Sequence, residues 1–282
     1  MTVDTAEASR LPFELERDIF ELAARSSPTC IPGLIMVAQR VKTWLEPILY
    51  NVLVLSDRPG NLHLSWTTLC FLADSKPLSF WGSTVNHLLI SSRYPADIPG
   101  ILAACGGVTD LGLRHPEVSP ACLPALSVLP LTRFFAELRP LFARAVDFQH
   151  PLFRGLTHLG IADFLTDADC AAWTEGLASL PALTHVSFHN RHHTPLFQAL
   201  LSRCTGLEAL VLCCATTQYF DLFKARTAWM GYDVRAVMIL VPSSCADWVC
   251  GARGGEDHWV RSERWIRWRR EGGVRADAYI VE

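Results

Sequence analysis

Leu156-Thr157-His158-Leu159-Gly160-Ile161 is followed by Leu183-Thr184-His185-Val186-Ser187-Phe188 and then by Leu207-Glu208-Ala209-Leu210-Val211-Leu212. Each stretch has a large aliphatic residue, two variable positions, then two apolar residues separated by one. Outward from there the pattern returns as Val85–Leu88–Ile90, Val108–Leu111–Leu113, Leu131–Phe134–Ala136 and Val234–Val237–Ile239. First positions of the seven copies are 23, 23, 25, 27, 24 and 27 residues apart, and Leu49–Val52–Val54 lies 36 residues before the first. Alternation fits a short strand with its apolar side inward. Segments between copies, such as Asp167 to Leu180 and Leu196 to Cys204, have helical spacing. One strand and one helix cannot bury their apolar faces alone, whereas stacked units make a continuous core. The spacing predicts an α/β solenoid with parallel strands and with helices on the outer face. An ordinary doubly wound α/β domain is the competing fold.

The chain has 282 residues, half of them apolar, enough for a sizeable core. With 25 basic and 28 acidic residues, the net charge of −3 leaves no broad footprint for nucleic acid. No apolar run reaches the roughly 18 residues that span a bilayer, so no membrane partner is expected. Residues 1–10 read as a polar, flexible tail without a signal peptide. The ten cysteines include no C-x-x-C pair. They read as reduced core residues in a cytoplasmic or nuclear protein.

The apolar pattern resembles degenerate leucine-rich repeats of the ribonuclease-inhibitor-like kind, over about residues 49–241. That family places Asn or Cys in the turn after each strand. Here the corresponding residues are Arg93, Pro116, Arg139, Phe164, Arg191, Ala215 and Pro242.

At the N-terminus, Leu15, Ile19, Leu22 and Ala23 form a helical stripe that Ser26-Ser27-Pro28 breaks. A second helix is expected from Ile31 to Ala38, extending through Trp44, with Pro47 as a stop or restart. Leu11, Pro12, Glu14 and Leu15, then Ile19-Phe20, Val37, Ala38, Arg40, Val41, Trp44 and Leu49-Tyr50 resemble an F-box. With Gly254–Trp259 at the other end, the arrangement is similar to F-box-like proteins of mushroom-forming fungi. The resemblance implies that Leu11, Pro12, Leu15, Ile19 and Phe20 dock a Skp1-like adaptor. A purely intramolecular cap is the alternative role for these helices.

Side chains between the inward positions would line the concave face. His87, Asp110, Arg133, His158 and His185 form one expected row, and Phe135 anchors the next. This mixed surface suits a protein partner. The histidines His185, His189, His192 and His193 are close in sequence, but no carboxylate or cysteine partner is fixed by spacing. No metal site and no cofactor are therefore expected. His158 and His185 are possible lateral neighbours. Cys213 follows a strand and is open to an exposed, reactive reading, but no basic residue is adjacent to lower its pKa. Nucleotide-loop and G-x-S-x-G motifs are absent, so no catalytic residues are expected. From Glu256 a helix carries Trp259, Trp265 and Trp268 beside several arginines; it reads as a cap on the last repeat with wet arginines.

The expected organisation is a tail (1–10), an F-box-like helical domain (11–50), a leucine-rich-repeat-like solenoid (51–242) and a helical C-terminal cap (243–282). The function it implies is a non-enzymatic, substrate-recruiting adaptor of a Skp1-cullin-type ubiquitin ligase, a monomer within a hetero-complex that holds an unknown protein substrate. The alternatives are a repeat scaffold or an enzyme on a degenerate α/β fold.

Overall fold

Each copy of the repeated apolar pattern becomes a strand. The computed structural model describes residues 11–57, 63–91, 97–114 and 118–281. Its strands are β1 (Val52–Leu55), β2 (His63–Leu64), β3 (His87–Ile90), β4 (Asp110–Leu113), β5 (Arg133–Ala136), β6 (His158–Ile161), β7 (His185–His189), β8 (Ala209–Cys214), β9 (Ala236–Leu240) and β10 (Ile280–Val281). Among the described residues these make one ten-stranded sheet, ordered β10-β9-β8-β7-β6-β5-β4-β3-β1-β2. Every pair is parallel. From β3 to β9, neighbours in space are neighbours in the chain. The order reverses once, at the edge, where β2 lies outside β1.

The helices are α1 (Phe13–Ser26), α2 (Ile31–Leu34), α3 (Gln39–Tyr50), α4 (Trp66–Ser75), α5 (Leu78–Thr84), α6 (Ile98–Ala104), α7 (Leu123–Leu126), α8 (Leu138–Leu141), α9 (Cys170–Ala178), α10 (Thr194–Arg203), α11 (Thr217–Lys224), α12 (Ser244–Ala252) and α13 (His258–Arg270). On one face of the sheet, Leu88, Leu111, Phe134, Leu159, Val186 and Leu210 stand in register and join helix residues such as Leu102, Trp173 and Phe197 in the main core. The other face is covered too. Trp248 and Val249 of α12 pack on Val52, Val54 and Leu89, while Trp259 and Ile266 of α13 belong to a cluster with Val211 and Val237. Helices therefore lie on both sides of a central parallel sheet, not on an outer face alone.

The last motif copy is out of phase with its reading. Leu210 pairs with Ala236, not with Val237. Ala236 and Met238 thus join the main core, and Val237 and Ile239 turn toward α13. A one-residue slip flips every side chain. Both faces of β9 are apolar because both are covered, so alternation could not set its phase.

Threonines in the loops before the strands add a second register device. The hydroxyls of Thr109, Thr132, Thr157 and Thr184 donate to the carbonyls of Asn86, Thr109, Thr132 and Thr157, at 3.3, 3.2, 3.1 and 3.2 Å. In the turns after the strands, side chains of Asp163 and Asn190 satisfy backbone donors. The Asp163 carboxylate accepts from the Leu138 and Arg139 N–H groups, and Asn190 Oδ1 accepts from Ala215 N–H. Asn190 has a φ of 56°, a left-handed conformation that Asn tolerates. Arg93, Pro116 and the tail 1–10 lie outside the described residues.

The N-terminal helices form a small core of Ala24, Ile31, Val41 and Leu45, with Phe20 and Trp44 against it. Helix α2 ends at Leu34, and α3 begins at Gln39 and runs through Pro47 instead of stopping there. Among the described residues no helix is long and apolar enough to cross a membrane.

Candidate functional site

The row His87, Asp110, Arg133, His158 and His185 exists, each residue in register with the next. It faces the chain's own C-terminal helices. Trp248 Nε1 donates to Asp110 Oδ1 at 3.0 Å, and Asp110 Oδ2 lies 3.3 Å from His87 Nδ1. Arg133 pairs with Asp257 at 3.4 Å, and Phe135 packs on His189 with ring centres 4.5 Å apart. The expected cap therefore lies across the sheet, not at its end, and this face is not a free surface. Nor are all its arginines wet, since Arg269 is buried among backbone carbonyls.

Two groups of ligating side chains form under this roof. In each, one donor atom per residue lies within 4.8 Å of the others. His158, His185 and Glu263 make the first. The two imidazoles are cross-strand neighbours, stacked 4.2 Å apart, with Trp259 edge-on to both. Each Nδ1 is 2.8 Å from the hydroxyl of the preceding threonine, Thr157 or Thr184. Where those hydroxyls donate along the threonine ladder, Nδ1 must be the hydrogen-bearing nitrogen. The Nε2 lone pairs then point at Glu263 Oε1, 3.8 Å from His158 and 3.3 Å from His185. Between those lone pairs and the carboxylate, a proton or a metal cation would be held from both sides. His158 Nε2 is buried and without a hydrogen-bond partner. Burial pushes the His158 imidazole below its ordinary value, against the pull of Glu263. Beside this group opens a cleft of about 180 Å³ lined by His185, Glu208, Glu263, Arg267 and Arg270.

His189, Cys213 and His258 make the second group, and all three are buried. His189 and Cys213 are paired across β7 and β8, and His258 stands in the first turn of α13. Cys213 is 1% exposed, a core thiol and not the exposed one its place after a strand allowed. Burial first, then the Asp247 charge, pushes its thiol well above the ordinary value.

Neither family models, curated proteins nor solved structures match this chain.

The terms F-box, leucine-rich repeat and ubiquitin-ligase adaptor thus gain no support from known proteins. The two ligand groups correct the expectation of a non-enzymatic interaction adaptor without catalytic or metal-ligating residues, because recruitment alone needs no converging imidazoles, thiol and carboxylate. The four histidines close in sequence do not form one site. His185 and His189 go to different groups, His193 Nδ1 accepts from Leu196 N–H at the start of α10, and His192 packs on Phe223. Lateral pairing of His158 with His185 is as the spacing allowed. Glu263 and His258 were missed, because the landing place of α13 has no signature in its own sequence.

Of the N-terminal residues, Leu11, Leu15 and Ile19 are 58%, 51% and 53% exposed. Pro12 is exposed and its carbonyl accepts from Glu16 N–H. Phe20 turns inward against Trp44, with ring centres 6.4 Å apart.

Proposed function

We propose that the chain is a metal-dependent enzyme of hydrolytic type, with its centre at His158, His185 and Glu263 and a small anionic substrate. The carrying observation is the convergence of two imidazole Nε2 atoms on one carboxylate, one of them buried without a partner. Two imidazoles and a carboxylate suit a divalent transition metal that keeps open positions and lowers the pKa of a bound water. The threonine hydroxyls orient both rings from behind, as outer-shell partners do. Arg267 and Arg270 give the cleft its positive wall, and Glu208 supplies a second carboxylate at its edge. Titration of the chelator-stripped chain with zinc is expected to show a site that Glu263→Gln weakens by at least about 100-fold, since a lost ligand costs more than a lost outer-shell partner. Zinc-dependent hydrolysis of 4-nitrophenyl phosphate should fall with it. Equal zinc binding by Glu263→Gln and the unaltered chain would remove the reading.

The fold is proposed at a finer grain as a leucine-rich-repeat-like solenoid led by an F-box-like unit. Seven evenly spaced parallel strands in chain order support it; the displaced β2 departs from it. A cytoplasmic or nuclear location is kept as a proposal, in line with ten unpaired cysteines. A separate observation is the exposed apolar stripe of Leu11, Leu15, Ile19 and Leu22. Apolar surface gathered along α1 and the residue before its cap favours a covering protein. We propose a Skp1-like partner as its occupant, in keeping with the resemblance of these residues. Micromolar binding of a purified Skp1-like protein, abolished by Leu15→Glu with Ile19→Glu, is the expected result. No binding, or binding indifferent to those charges, would exclude that partner.

A further inference from the structure

We infer that His189, Cys213 and His258 form a second, closed site for a zinc-class divalent cation, one that fastens the C-terminal helices to the sheet. The inference stands independently of the open cluster. His258 Nδ1 lies 2.6 Å from Asp247 Oδ2, and the same oxygen accepts the His258 backbone N–H at 3.0 Å. Asp247 Oδ1 accepts from Arg261 at 2.8 Å. A carboxylate that already accepts the His258 backbone N–H and an Arg261 N–H faces Nδ1 as an acceptor too, so His258 Nδ1 carries the hydrogen and Nε2 is the free nitrogen. That Nε2 is buried with no hydrogen-bond partner, in a residue 7% exposed. A carboxylate behind one ring nitrogen and an unpartnered nitrogen in front is the arrangement of a metal-binding histidine.

The donor set fits the ion. Tetrahedral zinc at about 2.0–2.1 Å from nitrogen and 2.3 Å from sulfur sets its ligands about 3.3–3.6 Å apart. The three donor atoms already lie within 4.8 Å of one another, so a shift of about an ångström closes the site around an ion. A cavity of about 20 Å³ adjoins it, lined by His189, His258, Phe135 and Trp248 among others, and has room for one water as a fourth ligand. Cation binding displaces the Cys213 proton to solvent and leaves the thiolate as ligand. The site joins β7, β8 and α13 directly and α12 through Asp247. In the open cluster, by contrast, Glu263 is 40% exposed at its side chain and no cysteine takes part.

The test uses the full chain carrying His158→Gln and His185→Gln, which removes the open cluster. After chelator stripping, cobalt is expected to give a near-ultraviolet thiolate charge-transfer band, and zinc to be retained stoichiometrically on dialysis. Adding Cys213→Ser should abolish both. His258→Gln, whose amide can still reach Asp247, should weaken zinc binding at least about tenfold with unchanged far-ultraviolet circular dichroism. Absence of the band and of retained zinc in the double variant, or a band that survives Cys213→Ser, would overturn the site. A thiolate band alongside indifference to Glu263→Gln would sink the open cluster alone.

Discussion

Replacing Arg269 by methionine is expected to destabilise the protein by about 3–5 kcal/mol, because it strands several buried carbonyls at about 1–3 kcal/mol each. Arg269 is 4% exposed although it lies in the last turn of a helix rich in arginine. Its guanidinium donates to five carbonyls: Ala276 at 2.7 Å, Ala236 at 3.0 Å, and Val234, Gly231 and Asp233 at 3.2, 3.2 and 3.3 Å. These acceptors belong to the loop before β9, to β9 itself and to the segment leading to β10. One planar fork thus ties α13 to the end of the sheet. Methionine fills part of the volume but leaves the carbonyls without donors, and each buried orphan costs about 1–3 kcal/mol. Lysine should recover only part of the loss, since a compact ammonium cannot span the same acceptors. Urea unfolding would show the change as a lower midpoint at constant slope. A loss under about 1 kcal/mol would mean that water replaces the guanidinium at little cost.

Phe188→Ala is expected to cost a similar amount, about 3–5 kcal/mol, for a different reason. Phe188 is 1% exposed, and its ring centre lies 4.6 Å from that of Phe197 on α10. Truncation removes apolar burial and opens a cavity between sheet and helix that the neighbouring strands cannot close, because their spacing is set by the ladder. Val128→Ala, at a side chain 77% exposed, is the matched control and should stay within about 0.5 kcal/mol. Equal effects of the two substitutions would contradict the placement of the core.

The strands were legible because each is a short alternating run whose inward residues are large and aliphatic. Leu88, Leu111, Phe134, Leu159, Val186 and Leu210 all point to the core that the spacing assigned them. Legibility ended where two layers cover one strand. In β9 the pattern Ala236-Val237-Met238-Ile239 is apolar throughout, so its phase came from packing against α13, not from alternation. The candidate site was half legible. His158 and His185 could be placed side by side from their equal positions in successive units. Glu263 could not be joined to them, for α13 has charged residues on most of its circumference and no apolar stripe to say which side lands. Cys213 and His189 were likewise in view, but their third member sits 45 residues beyond Cys213 in sequence, on the same helix.

From β3 to β9 the strands follow one another in space as they do along the chain, so each can add to its predecessor as it leaves the ribosome. The roof over the histidines does not share that convenience, since Trp248 meets Asp110 across 138 residues. A nascent chain holding everything up to β9 would present His158, His185, His189 and Cys213 uncovered until α12 and α13 emerge. The order of synthesis therefore builds the sheet first and brings down the helices that cover its histidines afterwards.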